Sequence, residues 1–246
     1  MCTIVLLRRP DHAWPLIFAA NRDERLDRPW RSPGRHWPEQ PGIVAGRDEL
    51  AGGTWLGVND SGVIAAISNR RGALGPEAGK RSRGELPLMA LRHRDAAAAA
   101  AAICDLDTRA YRAFNLVIAD RDKAWWCRNL EGNRTIERFP ISDGVTMLTA
   151  GDLDDPTSPR IRAFLPRFRA APPPDPDARD WAAWEALMAS REGGESREGE
   201  AAMTVVAGAF GTVSSSLLAL PAAGGKPIWR FAPGRPDRVA YAPLAL

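Results

Sequence analysis

The order of element types along the chain constrains its fold more than any other feature. Short runs rich in β-branched and aliphatic residues come first, then two helix-like segments, then strands, two more helices and strands again, with no regular β-α repeat. Rossmann and TIM architectures need that repeat, so a layered α+β arrangement of antiparallel strands covered by helices fits best. Residues 2–7 and 14–20 flank a Pro-Asp-His turn and read as a hairpin of buried strands. Residues 42–46, 54–58 and 62–68 read as further short strands, while 25–41, dense in Pro, Arg and Trp, reads as an irregular but ordered loop. Helices are predicted over 85–92 and, from an N-cap at Asp95, through seven consecutive alanines to Cys104. Strands at 114–119, 124–128, 135–139 and 145–149 lead into helices at 158–169 and 179–190. The charged stretch 191–200 reads as a mobile loop before final strands at 203–206, 212–220 and 227–231. Strands on both sides of the Pro172-Pro173-Pro174 break argue for one domain over residues 1–246.

Composition narrows the function classes. A chain of 246 residues with 45% hydrophobic and 26% charged residues is long enough to bury a large core. Its 33 basic and 30 acidic side chains nearly cancel, which does not suit a nucleic-acid binder. No stretch approaches the roughly 20 apolar residues that span a bilayer. Only Ile4 to Leu7 precede Arg8-Arg9 at the start, short of a secretory signal, so a cytoplasmic protein without a membrane span is expected. Cys2, Cys104 and Cys127 form no C-x-x-C, and His12, His36 and His93 lack ligand spacing. Neither a disulfide framework, a metal nor a cofactor is expected, and Cys104 and Cys127 read as buried and inert.

Cys2 differs from the other two. Removal of the initiator methionine, ordinarily permitted before so small a residue, would leave a cysteine whose own α-amine serves as the base for its thiol. Asn21-Arg22-Asp23-Glu24 follows the apolar run that pairs with the Cys2 strand, and an antiparallel hairpin sets the end of one strand beside the start of the other. Arg22 suits a thiolate or a carboxylate, Asp23 or Glu24 suits the α-amine, and Asn21 suits an oxyanion. Asn59-Asp60-Ser61-Gly62 reads as a turn before the strand that ends at Asn69, a further side-chain donor for an oxyanion.

Met1-Cys2-Thr3, Asn21 to Glu24, Gly52-Gly53-Thr54-Trp55-Leu56-Gly57, Ser68-Asn69-Arg70, Ser82-Arg83-Gly84, Phe114-Asn115-Leu116 and Phe210-Gly211-Thr212 stand in order along the chain. Together they resemble the NRDE family, also called the transport and Golgi organisation protein 2 family. The layout is also similar, more distantly, to cysteine N-terminal nucleophile (Ntn) hydrolases of the choloylglycine hydrolase and penicillin V acylase kind. That resemblance implies a four-layer αββα sandwich, with Cys2 as nucleophile and its α-amine as base. It matches Asn21 or Arg22 to an arginine, Asp23 or Glu24 to the acid contacting the amine, and Asn69 to the oxyanion hole. Two positions depart from those hydrolases and relatives. Ala150 replaces a second Asn, and Val213 stands where relatives often carry Arg.

The reading that follows is a hydrolase or acyltransferase acting on a linear amide bond through a Cys2 acyl-enzyme. The alternative is a catalytically reduced Ntn scaffold that binds or carries a hydrophobic small molecule such as haem, or acts in trafficking. Trp30, Trp37 and Trp55 are candidates to line a pocket for an apolar ligand, with packing as their competing role.

Overall fold

The computed structural model describes residues 2–194, 201–222 and 225–246. The elements are, in chain order, β1 (Thr3–Arg8), β2 (Leu16–Arg25), β3 (Trp30–Gly34), β4 (Ile43–Asp48), β5 (Leu56–Asn59), β6 (Ile64–Asn69), α1 (Glu85–Ala90) and α2 (Ala96–Cys104). Then follow β7 (Phe114–Ala119), β8 (Ala124–Asn129), β9 (Glu137–Pro140), β10 (Gly144–Leu148), α3 (Pro159–Ala170), α4 (Ala182–Ala189), β11 (Val206–Ala207), β12 (Phe210–Leu220), β13 (Ile228–Ala232) and β14 (Ala242–Pro243).

Contacts divide the chain into two compact units, Met1–Arg28 with Asp143–Leu246, and Pro29–Ser142. The second is inserted between β2 and β10 of the first, so the division falls away from the proline-rich break at 172–174. An insertion of this kind interrupts one sheet to build another.

In the first unit one antiparallel sheet runs β10-β1-β2-β12-β13-β14, with β11 also on β12. Side chains alternate between faces along each strand, and Val5, Ile17, Ala19, Met147, Leu217 and Ala219 form one apolar face. Helix α3 covers it because its sequence places Ile161, Phe164, Leu165 and Phe168 on one stripe. Ser158 caps its N-terminus by accepting from the Ile161 amide, and Pro159 occupies the first turn where no amide hydrogen is needed. Helix α4 adds Trp184 and Met188, with Phe168 and Trp184 edge to face at 5.0 Å.

In the second unit the strands pair in sequence order from β3 to β9, all antiparallel. The alanine helix α2 begins at Asp95, whose side chain accepts from the Ala98 amide at 2.8 Å. Ala96, Ala99, Ala100 and Ile103 pack into one cluster with Leu116, Ile118 and Cys127 of the sheet. Small side chains let the helix axis approach the strands closely. The stretch 25–41 departs from its reading as a loop, since β2 continues to Arg25 and residues 30–34 form β3. Pro33 is tolerated there because β3 is an edge strand with a register shift between Arg31 and Gly34. The strand expected at 203–206 reduces to the short β11, and residues 195–200 of the charged stretch lie outside the described residues. Among the described residues no helix is long and apolar enough to cross a membrane.

Candidate active site

Strand β2 is flanked by β1 and β12, so residues beyond its apolar half stay buried: Asn21, Arg22 and Asp23 are at most 5% exposed. Buried polar groups must find partners, and the strand's period of two sends them to different ones. Asn21 and Asp23 lie on the same face as Ala19, towards α3 and α4, whereas Arg22 and Glu24 lie on the opposite face. Thr3 pairs with Asn21, and continuing that register sets Cys2 opposite Arg22.

The Cys2 thiol is partly buried and lies 3.7 Å from the backbone carbonyl of Asp23, towards which it donates. Burial pushes its pKa above that of an ordinary cysteine, the Asp23 charge pushes in the same direction, and Arg22 opposes both weakly. On the same face Arg22 Nη2 stands 3.9 Å from Glu24, which also faces Arg28 at 3.7 Å. Ser214 of β12 pairs with Arg22 from the other side.

The Asp23 carboxylate is held on the helix-facing side. Oδ1 accepts from the Thr212 hydroxyl at 2.6 Å, and Oδ2 accepts from Arg160 Nη1 at 3.3 Å. The same Arg160 nitrogen donates to Thr3 Oγ1 at 2.6 Å, so one guanidinium ties α3 to the residue after Cys2 and to the carboxylate beside it. The β12 register shifts between Thr212 and Ser214, which brings Thr212 to Asp23 while leaving Ser214 opposite Arg22. Val213 is the extra residue of that bulge.

Asn21 is committed elsewhere. Its Nδ2 donates to the carbonyls of Met188 (3.0 Å) and Met203 (2.8 Å), and its Oδ1 accepts from Ser215, which also meets Tyr241 Oη at 2.5 Å. Both amide hydrogens therefore pin β2 to the end of α4 and to the chain before β11. Asn69 belongs to the second unit, where it ends β6 opposite Phe114. Asn59 is a turn former whose Oδ1 accepts from Ser61 and Val63 amides and whose Nδ2 donates to Leu91 and His93 carbonyls. Trp37 is buried in the core of the second unit, and Trp30 and Trp55 meet edge to face at 5.7 Å.

Arg160 is the residue that sequence reasoning missed. Its signal was present: it falls on the stripe of Ile161, Phe164 and Phe168, an apolar position where a charge must have a buried partner. A cation in the first turn also opposes the helix dipole, so its place there serves contacts outside the helix.

Several collinear motifs turn out to be packing devices. Gly53 lies against Gly84, where an added Cβ would come 2.4 Å from the Gly84 carbonyl carbon, and the Thr54 amide donates to Gly84 at 2.8 Å. Arg83 donates to the carbonyls of Ala73 and Ala113, and Asn115 Oδ1 accepts from Arg70 (2.7 Å) and Trp126 (3.1 Å). Gly53 and Thr54 thus meet the Ser82-Arg83-Gly84 motif, and Asn115 meets Arg70 of the Ser68-Asn69-Arg70 motif.

Among solved structures the chain is similar to the N-acylethanolamine-hydrolyzing acid amidase orthologue of Caenorhabditis elegans, with TM-score 0.53 and 14% identity over 88% of this chain and 92% of that one. It is likewise similar to a variant of the conjugated bile acid hydrolase from Clostridium perfringens, with TM-score 0.54 and 14% identity over 94% and 89%. This likeness shows the fold, that of Ntn hydrolases with two antiparallel sheets. The Transport and Golgi organization protein 2 homologues of Bos taurus and Homo sapiens are each 34% identical to it, over 114 and 118 residues, or 44% and 46% of this chain. The aligned parts span 40% and 41% of those relatives' own lengths. A model of the Transport and Golgi organisation 2 family matches residues 1–173, and with that match covering well over half of its length, the chain belongs to that family.

Proposed function

We propose that this protein is an N-terminal-cysteine hydrolase or acyltransferase that acts on a linear amide bond through an acyl-enzyme on Cys2. The observation that carries the reading is the Cys2 thiol immediately before β1, 3.7 Å from the Asp23 carbonyl and, where the β1–β2 register is continued by one residue, opposite the buried Arg22. Once Met1 is removed, the Cys2 α-amine takes the thiol proton, and the thiolate attacks the substrate carbonyl carbon. The tetrahedral adduct collapses with cleavage of the carbon–nitrogen bond, the α-ammonium giving its proton to the departing amine. Water, deprotonated by the same amine, then attacks the thioester, releasing a carboxylic acid and restoring the thiol. An amine acceptor in place of water gives acyl transfer.

The chain supplies a positioned thiol, a cation on the thiol's face, and a clamp from Arg160 through Thr3 and Asp23 that fixes both neighbouring strands. Because the similar structures are described as acting on N-acylethanolamines and conjugated bile acids, those two amide classes are the first substrates to assay. Intact-mass measurement of the native protein should find Met1 absent, and an acyl electrophile should label wild type but not Cys2→Ser. Retention of Met1 rules the mechanism out. Saturable ligand binding that is unchanged in Cys2→Ser, with no turnover of any amide, would instead favour a carrier.

A further inference from the structure

Three segments of the second unit enclose a polar cavity of about 630 Å³, within the size range of small-molecule sites. They are the chain before α1 around Glu77 and Lys80, the turn at 107–112 between α2 and β7, and the β8–β9 hairpin at 129–134. Hydrogen bonds between the segments fix its shape. Lys80 Nζ donates to the Arg109 carbonyl at 2.7 Å, and Arg112 Nε faces Glu77 at 3.2 Å. Thr108 Oγ1 donates to the Asn133 carbonyl at 2.8 Å, and Asn129 Nδ2 donates back to the Thr108 carbonyl at 3.0 Å. Each outer wall is thus tied to the central turn, as a preformed site requires.

The charges lining it do not all cancel. Arg109 pairs with Asp107 through Nε at 3.1 Å and Nη2 at 3.2 Å, and Arg112 is held by Glu77. Among the described residues, however, the half-buried Lys80 ammonium meets only a carbonyl, and the exposed Arg134 guanidinium meets no carboxylate. Acceptors are in surplus as well. Asn129 is 1% exposed, and its Oδ1 has no donor among the described residues. Asn133 gives Nδ2 to Glu137 at 3.3 Å and its carbonyl to Thr108, which leaves its Oδ1 to accept. A buried acceptor without a donor is costly, and points to a donor from outside the chain. Tyr111, the aromatic side chain in the lining, is 2% exposed and packs against Phe114 and the Arg81 guanidinium. A planar base or a haem therefore has no ring to stack on there.

We infer that this cavity binds an anionic polyol, a sugar that carries a phosphate or carboxylate group. Lys80 Nζ and the Arg134 guanidinium take the anion through charge-assisted hydrogen bonds. Asn129 Oδ1, Asn133 Oδ1 and the Glu131 carboxylate accept from the hydroxyls, which must replace the hydrogen bonds they made to water. A long apolar acyl chain would leave all of these groups unmatched, so the ligand differs in kind from an acyl substrate of Cys2.

The test is isothermal titration calorimetry on the full chain carrying Cys2→Ser, which makes the outcome independent of the acyl-enzyme reading. Glucose 6-phosphate and glucuronate are the probes. Glucose lacks the anion, and inorganic phosphate and acetate lack the polyol. At least one probe should bind saturably, and more tightly than glucose or its own bare anion. Arg134→Gln and Lys80→Met should each weaken that binding about tenfold, as for the loss of one charge-assisted hydrogen bond. Arg134 is exposed, so its variant keeps the fold and the test stands even where Lys80→Met does not fold. Failure of both probes to saturate at millimolar concentration overturns the proposal, as does binding that Arg134→Gln leaves unchanged. Inorganic phosphate binding as tightly as glucose 6-phosphate, with no binding of glucuronate, also overturns it, because the site would then recognise an anion alone.

Discussion

Arg160→Met tests the clamp beside Cys2. The Arg160 and Asp23 side chains are 5% and 0% exposed, so their 3.3 Å ion pair exists without the solvent screening that weakens surface pairs. Replacing the guanidinium by an apolar chain of similar length keeps the packing, but takes the charged partner from a buried carboxylate and the donor from Thr3. Breaking a buried pair from one side costs about 3–5 kcal/mol, a large share of a typical stability of about 5–15 kcal/mol. At about 2–4 °C per kcal/mol for a chain of this size, the melting temperature should fall by about 6–20 °C. Urea unfolding followed by tryptophan fluorescence reads the first unit well, because Trp184 and Trp229 are buried there. In the Asp23→Asn/Arg160→Met double variant both charges are gone, while the amide oxygen introduced at position 23 can still accept from Thr212. Its loss should fall short of the sum of the two single losses by about 1–3 kcal/mol. A single Arg160→Met loss under about 1 kcal/mol, or losses that add to within about 0.5 kcal/mol, refutes the reasoning.

Other predictions concern single groups. In protein that retains Met1, alkylation of Cys2 should rise with pH to a midpoint above that of an ordinary cysteine, because burial and then Asp23 raise its pKa; Asp23→Asn should lower that midpoint, and a wild-type midpoint at or below that of a free thiol contradicts the assignment. Asp154 is raised above the usual carboxyl value by burial, although the Met147 amide and Arg169 favour its charged form. Its contribution to stability is therefore full below the unfolded-state pKa and is lost as pH rises through the higher folded value. Asp154→Asn keeps an acceptor for Met147 and tolerates the positive φ of 54°, so urea midpoints should shift in the variant's favour across that window, and a constant difference argues against the effect. Gly53→Ala should cost about 1–3 kcal/mol, since its Cβ would meet backbone rather than a flexible side chain; an unchanged melting temperature shows that the Gly84 segment can move away freely.

Local physics made much of this protein readable from its residues. The hairpin of β1 and β2 is a contact between near neighbours in the chain, so apolar runs around a short turn suffice to bring Asn21 to Glu24 alongside Cys2. Periodicity and capping chemistry likewise marked α2 at Asp95 and α3 at Ser158, because a helix start is settled by one side chain and the few amides after it. Within the cluster, however, the division of labour depends on distant partners. Asn21 is drawn away by Met188, Met203 and Ser215, and Asp23 is claimed by Thr212 and by Arg160, 137 residues further on. The bulge at Val213 and the insertion of one unit within the other arise in the same way. A strand's period says which residues share a face, but not which helix or strand will lie over it. That choice belongs to the packing of the whole core, where each buried polar group takes the partner that tertiary structure brings within reach.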